Sequence, residues 1–160
     1  MSSRTRSIVP AARSACAPRP HAGSGVVLGE GAELLGRILL AALFFISGAA
    51  KVGNYAAIAT YMASGGVPPS LLPLVIATEL LGSVAIALGW KTRVTAVLLA
   101  GYSVLTALLF HMHLQDAEQA AMFLKNLAIA GGFILLVVNG PGSYSLDRRK
   151  SGLAHNWSRQ

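Results

Sequence analysis

Cysteine occurs once, at Cys16, so the chain can form no internal disulfide, no CxxC redox pair and no cysteine-ligated metal site of its own. Charge is scarce as well: 12% of the 160 residues are charged against 54% apolar, with a mean hydropathy of +0.59. A soluble domain carries about twice that share of charge. Acids are the rarest, 6 against 13 Lys and Arg. The basic excess does not form a stripe interleaved with aromatics; it gathers at the two ends and in one short turn, which argues against nucleic acid and for topology signals. No G-x-x-x-x-G-K phosphate loop is present, because the glycines lie inside apolar runs. Bis-histidine haem ligation is excluded too, since no second His matches the depth of His111 on another apolar run.

What the chain does have is long apolar segments. Leu71 to Trp90 is twenty residues in which Glu79 is the only charge. At about 1.5 Å per residue it reaches across a hydrocarbon core of about 30 Å. An ionised carboxylate near its middle costs at least about 2 to 3 kcal/mol and must be neutralised, paired or wetted. Three further runs have the same character, and the spans are expected at about 34–51, 71–90, 94–112 and 120–138. The fold class read from them is all-α, a four-transmembrane-helix bundle. Between the first two spans, Asn54 precedes a segment with Tyr55, Ile58, Ala59 and Met62 at helical spacing, ended by Gly65-Gly66 and Pro68-Pro69. No charge occurs from Val52 to Thr78, so this short helix is expected to lie at the membrane interface.

The domain organisation follows. Residues 1–32, with Arg4, Arg6, Arg13 and Arg19 and no acid before Glu30, read as a disordered basic arm, with an Arg-rich transit peptide as the alternative; they hold no continuous apolar core for a signal peptide. Residues 33–139 form the membrane domain, and 140–160 a basic tail. Lys and Arg concentrate in the N-terminal arm, in the Lys91-Thr92-Arg93 turn and after Asp147, in alternation with the poorly charged connections. The positive-inside rule puts both termini and the central turn in the cytoplasm, and the expected location is the bacterial inner (plasma) membrane, crossed several times.

Glu79 and Lys125 lie at similar depths, each about 12 to 14 Å from the outer end of its span, so they are expected to pair if their helices face each other. Arg37 and Lys51 are expected to snorkel to opposite surfaces. Lys51 and His111 come from the outer ends of spans one and three. The candidate site is an intramembrane polar pocket of Lys51, Glu79, His111, Lys125 and Asn126, open to the outer half of the bilayer, with no metal assigned. A structural reading competes with it: an ion pair that only fixes helix register. Gly48, Gly131, Gly132 and the small-xxx-small pair Ala85/Gly89 are read as close-packing positions.

Taken in order, FFISGAAKV at 44–52, Glu79 followed by LLG, GWKTR at 89–93, His111, FLKNLAIAGG at 123–132 and GPGSYSLD at 140–147 resemble the DoxX family. The resemblance implies a four-helix membrane protein, and for some members a link to quinone-reducing enzymes or membrane redox and detoxification complexes. It places the family's polar positions on Lys51, Glu79, His111, Lys125 and Asn126. Three functions follow as expectations. The first is an accessory subunit of a redox or stress-related complex, presenting a quinone pocket to a redox protein partner. The second is a proton-coupled carrier, which with four spans would need a homo-oligomer; the third is a non-catalytic scaffold. No nucleophile or cofactor loop is legible, so an enzymatic role would depend on a partner or a bound quinone.

Overall fold

The computed structural model describes residues 23–148. Its elements are α1 (Gly23–Gly53), α2 (Tyr55–Ser64), a single 3-10 turn (Pro69–Leu71), α3 (Leu72–Leu88), α4 (Thr92–Phe110) and α5 (Ala117–Asn139). Among the described residues, four helical stretches are long and apolar enough to cross a membrane: Gly29–Gly53, Pro69–Leu88, Thr92–Phe110 and Ala117–Asn139. The all-α, four-span reading therefore stands. α1 starts ten residues before the expected edge of the membrane domain, so residues 23–32 of the expected arm are helical. The rest of that arm, and the tail beyond Arg148, lie outside the described residues.

Each boundary has a local cause. Gly89 ends α3 in the left-handed region (φ +67°), where a glycine costs least. The α3 helix consequently stops at Leu88, two residues short of the expected Trp90. Asp116 caps α5 by accepting from the Glu118 amide at 2.9 Å. Asn54 stands at the cap position of α2 without a side-chain cap; its amide instead donates back to the Ala50 carbonyl, 3.0 Å away.

The helices run up, down, up and down as a ring: α1 packs most closely on α3 and α4 on α5, while α3–α4 and α5–α1 contacts close the circuit. In this ring α3 and α5 stand on a diagonal. The core lies between all four, with Phe44, Ile86, Leu99 and Phe133 at its centre and small residues such as Ala41, Ala96 and Ala130 letting the backbones approach. Phe44 meets Phe133 edge to face at 5.4 Å. Around the outside, large apolar side chains such as Leu39, Ile46, Leu81, Leu98 and Leu135 are exposed, the surface a bilayer would cover. The short α2 helix joins the ends of α1 and α3 with Met62 buried, in keeping with an interfacial position.

The glycine expectations divide. Gly48 is a true close approach, since a Cβ there would sit 2.9 Å from Leu80 Cδ2 and 3.2 Å from Glu79 Cβ. Gly132 abuts Leu40 at ordinary contact distance, but Gly131 faces open space and Gly89 serves the turn, so neither of these packs helices as expected.

The two ends of the bundle differ. At the end holding the α3–α4 turn, residues 140–147 fold back over the helices. Arg37, expected to snorkel, is instead buried and donates to the carbonyls of Pro141, Tyr144 and Ala87. Its position in the first half of α1 explains this: side chains tilt toward a helix's N-terminus, which aims Arg37 at the returning segment. Asp147 accepts from the Lys91 and Thr92 amides at 2.8 Å each and from the Thr92 hydroxyl at 3.0 Å, capping α4 from fifty-odd residues away. The opposite end is open.

A polar cluster in an apolar cavity

One stripe from each helix lines a cavity of about 560 Å³ at that open end: Leu43, Phe44, Ser47 and Lys51 of α1, Leu74, Val75, Thr78 and Glu79 of α3, Tyr102, Thr106 and Leu109 of α4, and Lys125, Asn126 and Ile129 of α5. Ile58, Tyr61 and Met62 of α2 form part of its wall, and the Tyr61 ring stacks on Phe110 at 5.2 Å. The volume falls in the range of small-molecule sites, and the lining is mostly apolar with a few convergent polar groups.

Those polar groups centre on Glu79, which is 2% exposed. Its partner is Lys51: the ammonium lies 2.9 Å from both carboxylate oxygens and donates also to Ser47 Oγ at 2.7 Å. The expected pairing with Lys125 does not form. Equal depth made Lys125 a candidate, but the diagonal placement of α3 and α5 keeps the two apart while α1 lies directly against α3. Lys51 does not snorkel outward, for the same geometric reason that places Arg37. It stands in the last turn of α1, so its side chain leans back toward the middle of the helix.

A second partner, Tyr102, was not singled out from the sequence. Its hydroxyl donates to Glu79 Oε1 at 2.5 Å, and its ring packs edge to face on Phe44 at 6.0 Å. A signal for it exists. Glu79 and Tyr102 are equidistant from the Trp90-Lys91 turn, and in a tight antiparallel hairpin residues mirrored about the turn share a depth. Ser47, one helical turn before Lys51, completes the cluster as an acceptor for its ammonium.

All five sequence-predicted residues line the same cavity, in different roles. Lys51 and Glu79 are locked together. His111 stands just past the end of α4, with Nδ1 2.8 Å from Gln119 Oε1. The Lys125 ammonium donates to Met122 Sδ at 3.0 Å, a weak acceptor, and no carboxylate pairs with it among the described residues. Asn126 lines the wall beside it, half-buried. The arrangement can hold a largely apolar molecule by its polar end, with the Lys125 ammonium, the Asn126 amide and the His111 ring as donors to its oxygens, and Glu79 as proton acceptor.

Comparison with known proteins agrees with the architecture. The DoxX family model matches residues 32–112. The chain is similar to the inner membrane protein YqjF of Escherichia coli, 48% identical over 115 residues that cover 72% of this chain and 88% of that protein. It is also similar to the inner membrane protein YphA of the same organism, 40% identical over 124 residues, with the same shares covered. No solved structure matches it. With its four apolar helices and these relatives, the chain is a multi-pass inner membrane protein that belongs to the DoxX family.

Proposed function

We propose that this DoxX-family protein is an accessory subunit of a membrane redox or stress-related complex and holds a quinone in the cavity bounded by Lys51, Glu79, Tyr102 and Lys125. The observation that carries this reading is the combination of an apolar cavity of about 560 Å³ with a hydroxyl–carboxylate–ammonium chain in its wall. The residues present fit the group: aliphatic and aromatic side chains for a ring and its tail, and several donors for its oxygens. When bound, a quinone supplies two-electron, two-proton redox chemistry. The chain's own part is to bind and to manage protons. Lys125, Asn126 and His111 orient the oxygens, while the Tyr102 hydroxyl and the Lys51 ammonium, both donating to Glu79, hold that carboxylate in place as the group that accepts a proton.

With the positive-inside orientation, both termini and the closed end face the cytoplasm and the cavity opens to the outer half of the bilayer. Electrons would come from a redox protein partner, and a homo-oligomer would offer such a partner a larger platform.

Titration of the purified, folded protein with a short-chain quinone tests the reading. Saturable binding is expected, weakened at least tenfold by Glu79→Gln and by Tyr102→Phe. Absence of saturable binding, or equal binding by both variants, would overturn it. The scaffold reading draws on one observation, that the Lys51 ammonium lies 2.9 Å from both Glu79 oxygens, and it predicts unchanged function when both are replaced by apolar residues.

A further inference from the structure

Charge accounting within the cavity says more about its ligand than shape does. Three side chains of formal charge line it among the described residues: Lys51 and Lys125, each +1, against Glu79, −1, so one positive charge is left over. The Lys51–Glu79 half is spent. Lys51 places its donors on Glu79 Oε1, Glu79 Oε2 and Ser47 Oγ, and Glu79 receives Tyr102 as a further donor. The surplus therefore resides on Lys125. Its ammonium carries three donors, and among the described residues the one acceptor it meets is the Met122 thioether at 3.0 Å, a weak acceptor. The next residue, Asn126, lines the same cavity. An ammonium set at intramembrane depth with a sulfur as its acceptor is a donor prepared for an oxygen that none of the described residues provides.

We infer that the cavity selects a monoanionic amphiphile, a molecule with an apolar ring or tail and one ionised oxygen, and that Lys125 is the residue that reads the charge. This rests on the proposed quinone reading and narrows it, from quinones in general to those bearing an acidic ring hydroxyl or to the deprotonated reduced form. The Lys125 ammonium gives a charge-assisted hydrogen bond to either kind of oxygen, but only an ionised oxygen adds the attraction of two full charges, for which a preference of about tenfold is expected.

Two probes that differ by a single group make the test: 1,4-naphthoquinone, and 2-hydroxy-1,4-naphthoquinone, whose hydroxyl is ionised at pH 7. Each is titrated calorimetrically into the full chain in nanodiscs, with protein-free nanodiscs subtracting partition into lipid. The expected result is that the wild type binds the hydroxylated probe about tenfold more tightly, that Lys125→Gln weakens both probes but the hydroxylated one about tenfold more, so that the difference disappears, and that Lys125→Arg restores it. Equal affinity of the wild type for both probes, or a preference that survives Lys125→Gln, overturns the inference and leaves the quinone reading standing. Saturable binding of neither probe overturns both. Lys125 is exposed, away from the packed core, so its glutamine variant keeps the helix, and an elution profile matching wild type checks this.

Discussion

At the scale of single residues, the Lys51–Glu79 pair makes the sharpest prediction. Glu79 is almost wholly buried and Lys51 lies within 2.9 Å of both its oxygens. Removing the cation alone leaves a buried carboxylate unpaired, a loss of about 3 to 5 kcal/mol. Lys51→Met should therefore lower the thermal midpoint in detergent sharply, and Lys51→Met with Glu79→Leu should recover most of it; equal destabilisation by single and double variants would show that the pair is not coupled. The identity of these residues was legible from burial cost alone, because a charge in an apolar run demands an explanation wherever it sits. Their pairing was not. Depth can be counted along a helix, but rotation about the axis and the order of helices in the ring decide who meets whom, and those are set by contacts the sequence does not spell out. Lys125 matched Glu79 in depth and lost to Lys51 on position in the ring. Tyr102 was hidden for a different reason: an aromatic in an apolar span is ordinary, and only its mirror relation to Glu79 about the α3–α4 turn separates it from a packing residue.

At the scale of elements, the spans were readable because twenty apolar residues admit few other fates, whereas their ends were set by tertiary contacts. Gly89 and Asp147 show the difference. Gly89 closes α3 with φ +67°, and a Cβ there would come within 2.5 Å of the Ser145 Cβ, on a segment more than fifty residues downstream. Gly89→Ala meets both the left-handed penalty and that clash, and should destabilise by about 2 kcal/mol or more, read as a lowered thermal midpoint. Asp147 satisfies the Lys91 and Thr92 amides at the start of α4, where the helix has no cap of its own. Asp147→Ala should cost about 1 to 2 kcal/mol, and because it frees the returning segment from the turn, hydrogen exchange should quicken at Lys91 and Thr92 more than in the core of α4. The GWKTR and GPGSYSLD stretches, two separate motifs in the sequence, are thus two halves of one structural joint.

At the scale of the whole molecule, the bundle is asymmetric: one end is closed by Arg37 and the returning segment, the other holds the cavity, and the direction in which it sits in the membrane decides which leaflet can supply a ligand. The charge distribution argues for the closed end in the cytoplasm, since Lys91, Arg93 and Arg148 cluster there while Lys51, at the other end, is neutralised by Glu79. Single cysteines test this in a Cys16→Ser background: Gln115→Cys in the connection between α4 and α5, and Arg148→Cys beside the returning segment, both exposed positions. In intact spheroplasts a membrane-impermeant maleimide should label residue 115 and leave residue 148 untouched until the cells are lysed. The reverse pattern would turn the cavity toward the inner leaflet, and Lys125 would then meet ligands from the cytoplasmic side. Labelling of both positions in intact cells would mean two orientations coexist, the outcome expected where charge bias between the two faces is weak, and would predict that adding one lysine near residue 148 shifts the population toward the cytoplasmic closed end.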